Sequence, residues 1–261
     1  MNKVVWITGA SSGIGKALAF EWAKQHCNIA LTGRNTDELQ QVKNQLEQIG
    51  TQAHVFYLDL EKQETHQACF NEILAVFGRI DILVNNGGIS QRSLAIESKL
   101  EVDRKVMEVN FFGAVSLTKL VLPLFIKQGN GQIVVLSSIA GKFGFPLRSI
   151  YSASKFALVG YFESVALENE KHNIFVTLVY PGRVKTNISV NAVTADGKIH
   201  GKMDKGQEEG ISAQQCAQKI VKGVTKKKRN LLIGGKEVLL AQIKRFFPAL
   251  FYVIAKRVNP K

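Results

Sequence analysis

The sequence predicts an α/β fold, a doubly wound parallel sheet flanked by helices on both faces. Short β-rich runs alternate with amphipathic stretches of helical length along most of the chain, and this alternation is typical of βαβ units. A glycine-rich turn at 8–15 lies between the first run and the first helical stretch, where phosphate-binding turns occur. With 261 residues and 46% hydrophobic composition, the chain is expected to form one large domain over 1–261.

Hydrophobic periodicity and turn residues assign the elements in chain order. Thr36 is a predicted helix N-cap, Gly50 is the C-cap of the same helix, and Ser212 is a later N-cap. Strands are predicted at 4–8, 29–32, 54–58, 82–84, 133–136 and 175–179. Helices are predicted at 13–26, 36–49, 63–77, 100–126 (one long helix or two run together), 152–171 and from 212 to about 225.

The segment at about 187–210 breaks this pattern, because it is polar, contains glycine and shows little periodicity. Long irregular segments inside a compact domain are usually functional, and many are lids. We therefore predict a substrate lid here, with a mobile surface excursion as the alternative.

Positive charge is concentrated near the carboxyl end. Residues 222–261 contain eleven Lys or Arg and one acid, Glu237, and so carry +10 of the formal net charge of +13. Within them, 237–261 is a basic amphipathic segment that either lies in a membrane interface, packs on the domain or a second subunit, or binds an acidic partner. The cluster at 226–229 lies beside a strand, where such clusters are usually solvated turns, so no nucleic-acid partner is expected.

The cysteines and the amino terminus bear on the compartment. Cys27, Cys69 and Cys216 are odd in number and far apart, so neither a disulfide framework nor a zinc site is indicated. The first residues lack a secretory signal pattern, and the apolar run at 246–255 is about half as long as a bilayer span. We expect a cytoplasmic protein, peripheral at a membrane surface if the basic segment binds there.

Three glycines define the expected function of the turn at 8–15. Gly9 permits a tight turn, Gly13 lets the backbone approach a pyrophosphate, and Gly15 lets helix and strand pack closely. The following helix adds free N–H groups and partial positive charge. The sequence thus indicates a single-domain Rossmann fold that binds a dinucleotide, although a glycine-rich loop without a ligand has the same local pattern.

The residues after the second strand predict which nucleotide binds. NAD-specific sites commonly place an acid there, against the adenosine ribose, whereas this chain has Gly33 and Arg34. Arginine forms a paired, charge-assisted contact with a 2′-phosphate, and Ser11 and Asn35 are expected to add hydrogen bonds. NADP(H) is therefore predicted in preference to NAD(H); the alternative is an arginine that is simply solvated at a strand end.

Tyr151, Lys155 and Ser138 form a candidate proton-transfer group. The i, i+4 spacing makes Tyr151 and Lys155 neighbours on one helix face. A nearby ammonium stabilises a phenolate, which lowers the tyrosine pKa and suits it to acid–base catalysis near neutral pH. Ser138 follows the fifth strand, at the edge where the glycine-rich turn also opens. Taken alone, such a tyrosine–lysine spacing more often belongs to a surface pair.

Together these motifs resemble the short-chain dehydrogenase/reductase family in its single-domain form, from Val4 to about Thr225. The resemblance implies an NADP-dependent oxidoreductase that interconverts a carbonyl group and an alcohol by hydride transfer, as a homodimer or homotetramer. The motifs that carry the likeness are 8–15, Asp59, 85–88, Asn110, Ser138, 151–155 and 181–186.

The resemblance also implies residue roles. Tyr151 is expected to give its proton to the carbonyl oxygen, and Ser138, thirteen residues earlier, to polarise that carbonyl. Lys155 is expected to lower the tyrosine pKa and bind the nicotinamide ribose, and Asn110 to fix a water that relays protons. The residues expected around the cofactor are Gly9, Ser11, Ser12, Gly13, Ile14 and Gly15 in the turn; Arg34 and Asn35 after the second strand; Asp59 and Leu60 at the adenine; Asn86 and Gly87 near the adenosine ribose; Tyr151 and Lys155; and Pro181, Gly182, Val184 and Thr186 at the nicotinamide.

The expected substrate is a ketone or aldehyde of apolar, lipid-like character. Through 137–146 the chain is similar to relatives that act on steroids, retinoids and other lipid-like carbonyls. Phe143, Phe145 and Leu147 either line an apolar pocket or belong to the core.

Ser12 departs from the pattern of NADP-using relatives, which carry a basic residue in the glycine-rich turn. The alternative function is a catalytically idle nucleotide-binding regulator, or a membrane-associated scaffold, on the same fold.

Overall fold

A seven-stranded parallel sheet forms the centre of the protein, and the computed structural model describes residues 2–255. Its strands are β1 (Val4–Thr8), β2 (Asn28–Gly33), β3 (Ala53–Tyr57), β4 (Ile82–Asn85), β5 (Gly131–Leu136), β6 (Ile174–Pro181) and β9 (Asn230–Ile233), while β7 (Val184–Lys185) and β8 (Ile211–Ser212) pair separately. The order is β3-β2-β1-β4-β5-β6-β9. Because the order reverses between β1 and β4, a crevice opens at their carboxyl ends, where ligands bind in such sheets.

Helices cover both faces of the sheet. α1 (Gly13–Ala23), α2 (Thr36–Gln48) and α8 (Ala213–Thr225) pack on one face, and α3 (Glu64–Phe77), α5 (Gly113–Gln128) and α6 (Ser149–Glu168) pack on the other. The remaining helices are α4 (Leu100–Met107), α7 (Lys205–Glu208), α9 (Leu239–Phe246) and α10 (Pro248–Ala255). Strand side chains alternate between the two layers, so that Ile7 joins one core cluster and Trp6 the other. The predicted doubly wound α/β Rossmann fold is confirmed.

Three helix caps can be compared with their predictions. Asn35, and not Thr36, is the N-cap of α2, because its Oδ1 accepts a hydrogen bond from Glu38 N at 3.1 Å. Ile49, and not Gly50, is the C-cap of α2, and Gly50 follows it with a left-handed φ of +79°. Ser212 is the N-cap of α8, in a reciprocal capping box that satisfies two backbone N–H groups.

The start of α6 differs by three residues from the prediction at 152, because the helix begins at Ser149. The Ile150 N–H donates to Gln91 Oε1 at 3.1 Å. This cap comes from a residue 59 positions away, so the local sequence gives no sign of it. Tyr151 therefore lies in the first turn of the helix.

The helix predicted at 100–126 consists of α4, a π-turn at Glu108–Phe112 and α5. π-turns frequently occur at functional sites.

Leu100–Gln128 is the one helix within residues 2–255 that is long and apolar enough to cross a membrane by length and composition. Buried core helices pass the same test, and Leu117 and Phe125 are fully buried against the sheet, so the indication is weak.

The two segments singled out in the sequence have different structures. The 187–210 segment is irregular apart from α7. The basic segment is helical in α9 and α10, which pack through Leu240, Ile243 and Phe251 onto the chain around Phe143. The prediction for 256–261 lies outside the described residues.

Candidate active site

The glycine-rich turn lies at the switch point, where its glycines are structurally required. Gly9 and Gly13 adopt left-handed φ values of +63° and +55°, a region that favours glycine. A methyl group at Gly15 would lie 2.2 Å from the Gly9 carbonyl oxygen, so a larger residue would push α1 away from β1. Ser12 is the N-cap residue of α1 and makes no capping bond with its side chain, while Ile14 packs against the core. Ser11 is half-buried beside them.

The side chain of Asn86, which follows β4, makes hydrogen bonds that hold the glycine-rich turn in place. Its Nδ2 donates to Thr8 O at 2.8 Å and to Gly9 O at 3.2 Å. The Gly87 N–H donates to Thr8 Oγ1 at 2.8 Å. A methyl group at Gly87 would lie 2.6 Å from Leu60 Cδ1. The structure therefore brings Leu60, Asn86 and Gly87 to the glycine-rich turn.

Three further candidate residues follow β2 and β3 at the same edge of the sheet. Arg34 is exposed directly after β2. Asn35 uses its Oδ1 to cap α2, which leaves its Nδ2 as a donor. Asp59 is buried after β3, and its Oδ1 accepts from Glu61 N at 3.1 Å. Arg34, Asn35 and Asp59 therefore all lie just after the carboxyl ends of neighbouring strands.

Tyr151, Lys155 and Ser138 are brought together beside the crevice. Lys155 Nζ lies 5.7 Å from the centre of the Tyr151 ring and donates to Leu136 O at 2.8 Å. Ser138 Oγ accepts from Ala140 N at 3.1 Å and donates to Pro181 O at 3.5 Å, and it lies close enough to Tyr151 to act on the pKa of the phenol. Both Tyr151 and Lys155 are buried.

The pKa values of the pair are set mainly by burial. Burial raises the pKa of the Tyr151 phenol above its ordinary value, and the nearby Ser138 hydroxyl and the positive charges of Arg148 and Arg92 oppose that rise. Burial, and not the lowering of the tyrosine pKa that was expected from Lys155, therefore has the largest effect on the pKa of Tyr151. Burial lowers the pKa of Lys155 to about 8, because the charged ammonium loses its hydration.

Asn110 lies in the π-turn, and its side chain makes three hydrogen bonds. Its Oδ1 accepts from Ile89 N at 2.8 Å, and its Nδ2 donates to Ile89 O at 2.9 Å and to Ser154 Oγ at 3.0 Å. A methyl group at Gly88 would lie 2.9 Å from Asn110 Oδ1 and 3.6 Å from Lys155 Nζ. Asn110 thus connects α6 to the chain after β4 and lies near Lys155.

The residues after β6 close the crevice from the other side. Pro181 ends β6 and is buried, as is Val184 in β7. Thr186 Cγ2 would be 3.2 Å from a methyl group at Gly13, so this stretch crosses the mouth of the glycine-rich turn. Gly182 packs against Glu237, whose Oε1 accepts from Arg183 N at 2.8 Å. The Glu237 contact was not anticipated, since 54 positions separate it from Arg183.

Comparison with known proteins decides the family. The family model described as short chain dehydrogenase matches residues 3–197. The chain belongs to the short-chain dehydrogenase/reductase family. Dehydrogenase/reductase SDR family member 7B of Mus musculus is 42% identical over 264 residues, which cover 99% of this chain and 82% of that protein.

Two solved structures with a similar fold contain a bound nucleotide. An alcohol dehydrogenase from Thermococcus sibiricus, complexed with 5-hydroxy-NADP, has a TM-score of 0.79 at 26% identity and covers 90% of this chain and 97% of its own. A short chain dehydrogenase/reductase from Burkholderia phymatum, in complex with NAD, shares the fold with a TM-score of 0.84 at 22% identity, covering 100% and 96%. The solved relatives thus include complexes with either form of the nucleotide.

This short-chain dehydrogenase/reductase also carries charged residues that sequence reasoning missed. Arg92 and Arg148 lie close enough to Tyr151 for their charges to act on it, and both pair with Asp204 from the 187–210 segment. The three residues are separated by 56 and 112 positions, so no motif connects them.

An aromatic cluster forms in the stretch of chain that follows Ser138. The Phe143 ring lies 4.7 Å from that of Phe145 and 4.9 Å from that of Phe251 in α10. Phe143 is buried in this cluster, while Phe145 and Leu147 are half-buried. Of the two readings of these residues, core packing therefore describes Phe143, and its packing partner is the carboxyl-terminal helix pair.

Proposed function

We propose that this protein is an NADP(H)-dependent oxidoreductase that interconverts an apolar or lipid-like ketone or aldehyde with its alcohol. The observation that supports it is the convergence of Tyr151, Lys155 and Ser138 beside the crevice of the glycine-rich turn. Family membership favours this over an idle regulator or scaffold. The test is a screen of ketones, aldehydes and secondary alcohols that follows the absorbance of reduced nicotinamide. Absence of turnover with every class would reject the proposal.

In this proposal a dinucleotide lies along the crevice, with its pyrophosphate at the glycine-rich turn. A methyl group at Gly13 would touch Thr186, so this glycine keeps the backbone open to a pyrophosphate, which the N-terminus of α1 would hold. Asp59 and Leu60 would contact the adenine, with Asn86 and Gly87 near the adenosine ribose. At the other end Lys155 would bind the ribose, and Pro181, Gly182, Val184 and Thr186 the nicotinamide. When bound, the cofactor supplies or accepts the hydride.

The protein's own part is to hold and move one proton. In reduction, Tyr151 Oη donates its proton to the substrate oxygen while Ser138 Oγ donates a hydrogen bond to the same atom. Lys155, charged at pH values below about 8, stabilises the phenolate that remains. Asn110 would hold a water that returns a proton from solvent through Lys155. Burial of Tyr151 and Lys155 strengthens these interactions by excluding bulk water.

Cofactor preference gives a direct prediction for Arg34. Arg34→Asp is expected to lower the kcat/KM ratio of NADPH over NADH by about 10- to 100-fold, because a charge-assisted hydrogen bond to phosphate is replaced by repulsion. The ratio is measured with both cofactors at equal concentration. Arg104→Asp, which changes an exposed arginine on α4, is the matched control. A wild-type preference for NADH would contradict the assignment.

The 187–210 segment is assigned as a lid within a single catalytic domain. It begins just after β7, where Thr186 reaches the glycine-rich turn, and returns to β8. Two backbone hydrogen bonds join Val193 to the chain after β4. Arg92 N donates to Val193 O at 2.8 Å, and Val193 N donates to Ser90 O at 2.8 Å. The segment thus borders both the cofactor crevice and the region of Tyr151.

Peripheral membrane contact is assigned to the outer faces of α9 and α10. Phe246 and Phe247 are each 63% exposed and follow Lys244 and Arg245. Each phenylalanine transferred into an apolar environment contributes about 1.5–3 kcal/mol. Replacing both with serine is therefore expected to weaken partition to vesicles with anionic lipids at least about tenfold. Ile96→Ser, at a residue that is 92% exposed, is the control, and unchanged partition would exclude this contact.

We assign the protein as a homodimer or homotetramer located in the cytoplasm. Phe112 in the π-turn and Phe156 on α6 are 49% and 45% exposed, and exposed aromatic residues on adjacent elements favour self-association. Light scattering of the full chain measures this directly, and a monomer would contradict it. The three cysteines are free and buried, as expected in a reducing compartment.

A further inference from the structure

One short stretch after β4, residues 90–93, is bonded to two other parts of the chain at once. On one side it pairs with Val193 of the lid through two backbone hydrogen bonds of 2.8 Å. On the other side Ser93 N donates to Leu147 O at 3.2 Å, and Ser93 forms a bridge with Arg148. The lid and the residues that lead into α6 therefore share one backbone support.

Gln91 in this stretch fixes the start of α6. Its side chain is completely buried. Its Oε1 accepts from Ile150 N at 3.1 Å, and its Nε2 donates to Ser93 Oγ at 3.0 Å and to Ser98 Oγ at 3.1 Å. Because Ile150 immediately precedes Tyr151, any shift of 90–93 moves the turn that carries the phenol.

Side chains connect the same three parts a second time. Asp204 in the lid accepts hydrogen bonds from Arg92, with Nε at 3.3 Å from Oδ1, and from Arg148, with Nη2 at 2.7 Å from Oδ2. The Arg92 side chain is only 6% exposed, and a cation so buried needs a paired anion. Asp204 is itself held, since its N–H donates to Ser189 Oγ at 3.2 Å and Ser189 is fully buried.

We propose that Asp204, Arg92 and Arg148 form a clasp that closes the lid onto the amino-terminal end of α6 and positions Tyr151 for proton transfer. These are positioning residues, because they act through Tyr151. The inference rests on the proposed function of Tyr151 as the proton donor. Two guanidinium groups share one carboxylate, so the clasp also leaves one net positive charge beside the phenol.

The charges around Tyr151 give the clasp an electrostatic effect with a definite sign. Tyr151 is faced by Lys155 from its own helix, Arg148 from before that helix, Arg92 from after β4, and Ser138 from after β5. Asp204 neutralises part of the charge of the two arginines. Removing the carboxylate makes the phenolate easier to form, and removing one guanidinium makes it harder.

The test compares Asp204→Asn with Arg148→Gln in the full chain. Both are expected to lower kcat/KM at least tenfold. Reduction needs a charged Lys155 and a protonated phenol, so kcat/KM falls as the pH rises through the pKa values of Lys155 and Tyr151. That limb of the pH profile is expected to move to lower pH in Asp204→Asn and to higher pH in Arg148→Gln. Structural damage alone does not move the limb in opposite directions.

A second readout does not depend on turnover. Hydrogen exchange, measured by mass spectrometry, is expected to speed up within 187–210 in Asp204→Asn and to stay unchanged in Asp196→Asn. Asp196 belongs to the same segment but pairs only with its neighbours Thr194 and Lys198. Asp204→Glu is expected to restore slow exchange. Unchanged exchange in Asp204→Asn, or a pH limb that does not move, would overturn the clasp.

The two readouts separate this proposal from the function on which it rests. If the wild-type protein reduced no carbonyl compound, the proposed function would fail, while hydrogen exchange would still report whether Asp204 closes the lid. If turnover depended on Tyr151 but neither readout responded to Asp204, the clasp alone would fail.

Discussion

Tyr151→Phe is expected to lower kcat for carbonyl reduction by about 10²- to 10⁴-fold, the contribution of a positioned general acid. Phenylalanine keeps the buried ring and removes only the hydroxyl, which lies near Ser138. The substrate oxygen would then have to take its proton from water, which the buried position of the ring excludes. Turnover is measured from the absorbance of reduced nicotinamide.

Tyr161→Phe is the matched control for this prediction. Tyr161 lies on the same helix, and its ring packs edge-on against Phe111 at 5.9 Å, away from the crevice. It is expected to leave kcat and cofactor affinity unchanged, and Tyr151→Phe is expected to leave cofactor affinity unchanged as well. Cofactor binding is followed by fluorescence titration. Substantial turnover in Tyr151→Phe would contradict the proposed mechanism.

Gly15→Ala is expected to weaken cofactor binding at least about tenfold and to lower the free energy of unfolding by about 1–3 kcal/mol, the usual cost of overpacking. The added methyl group would lie 2.2 Å from the Gly9 carbonyl oxygen and 2.5 Å from Asn86 Nδ2. The carbonyl belongs to the backbone of the turn and cannot rotate away as a side chain can. The turn and α1 must therefore separate, which displaces the N–H groups meant for the pyrophosphate.

Gly160→Ala is expected to change the free energy of unfolding in the opposite direction. Apart from its chain neighbours and the nearby backbone of its own helix, no atom of residues 2–255 lies within 4 Å of a methyl group at Gly160, and this glycine is inside α6. Alanine there is expected to raise the free energy of unfolding by about 0.5–1 kcal/mol, because it restricts the unfolded chain. Chemical denaturation measures both variants. Equal effects of the two substitutions would show that close packing at Gly15 does not govern the turn.

The carboxyl-terminal segment illustrates why a sequence pattern leaves alternatives open. Its periodicity predicts an amphipathic helix, and the structure contains α9 and α10 there. Phe251 is buried against Phe143, whereas Phe246 and Phe247 remain exposed. One face therefore packs on the domain and another stays free for an interface, and the periodicity of the segment contains no information on which surface it meets.

The sequence by itself determined the alternation of the first six strands with helices, the doubly wound fold and the glycine-rich turn, but no bounds were predicted for β7, β8 or β9. The predicted features depend on interactions within a few residues, such as the alternation of buried strand residues and the left-handed glycines at 9 and 13. Tertiary structure alone decided the start of α6, which Gln91 caps, and the pairing of Asp204 with Arg92 and Arg148. The partners in those contacts are 56 to 112 positions apart, so they become neighbours only when the sheet brings the ends of different strands to one edge.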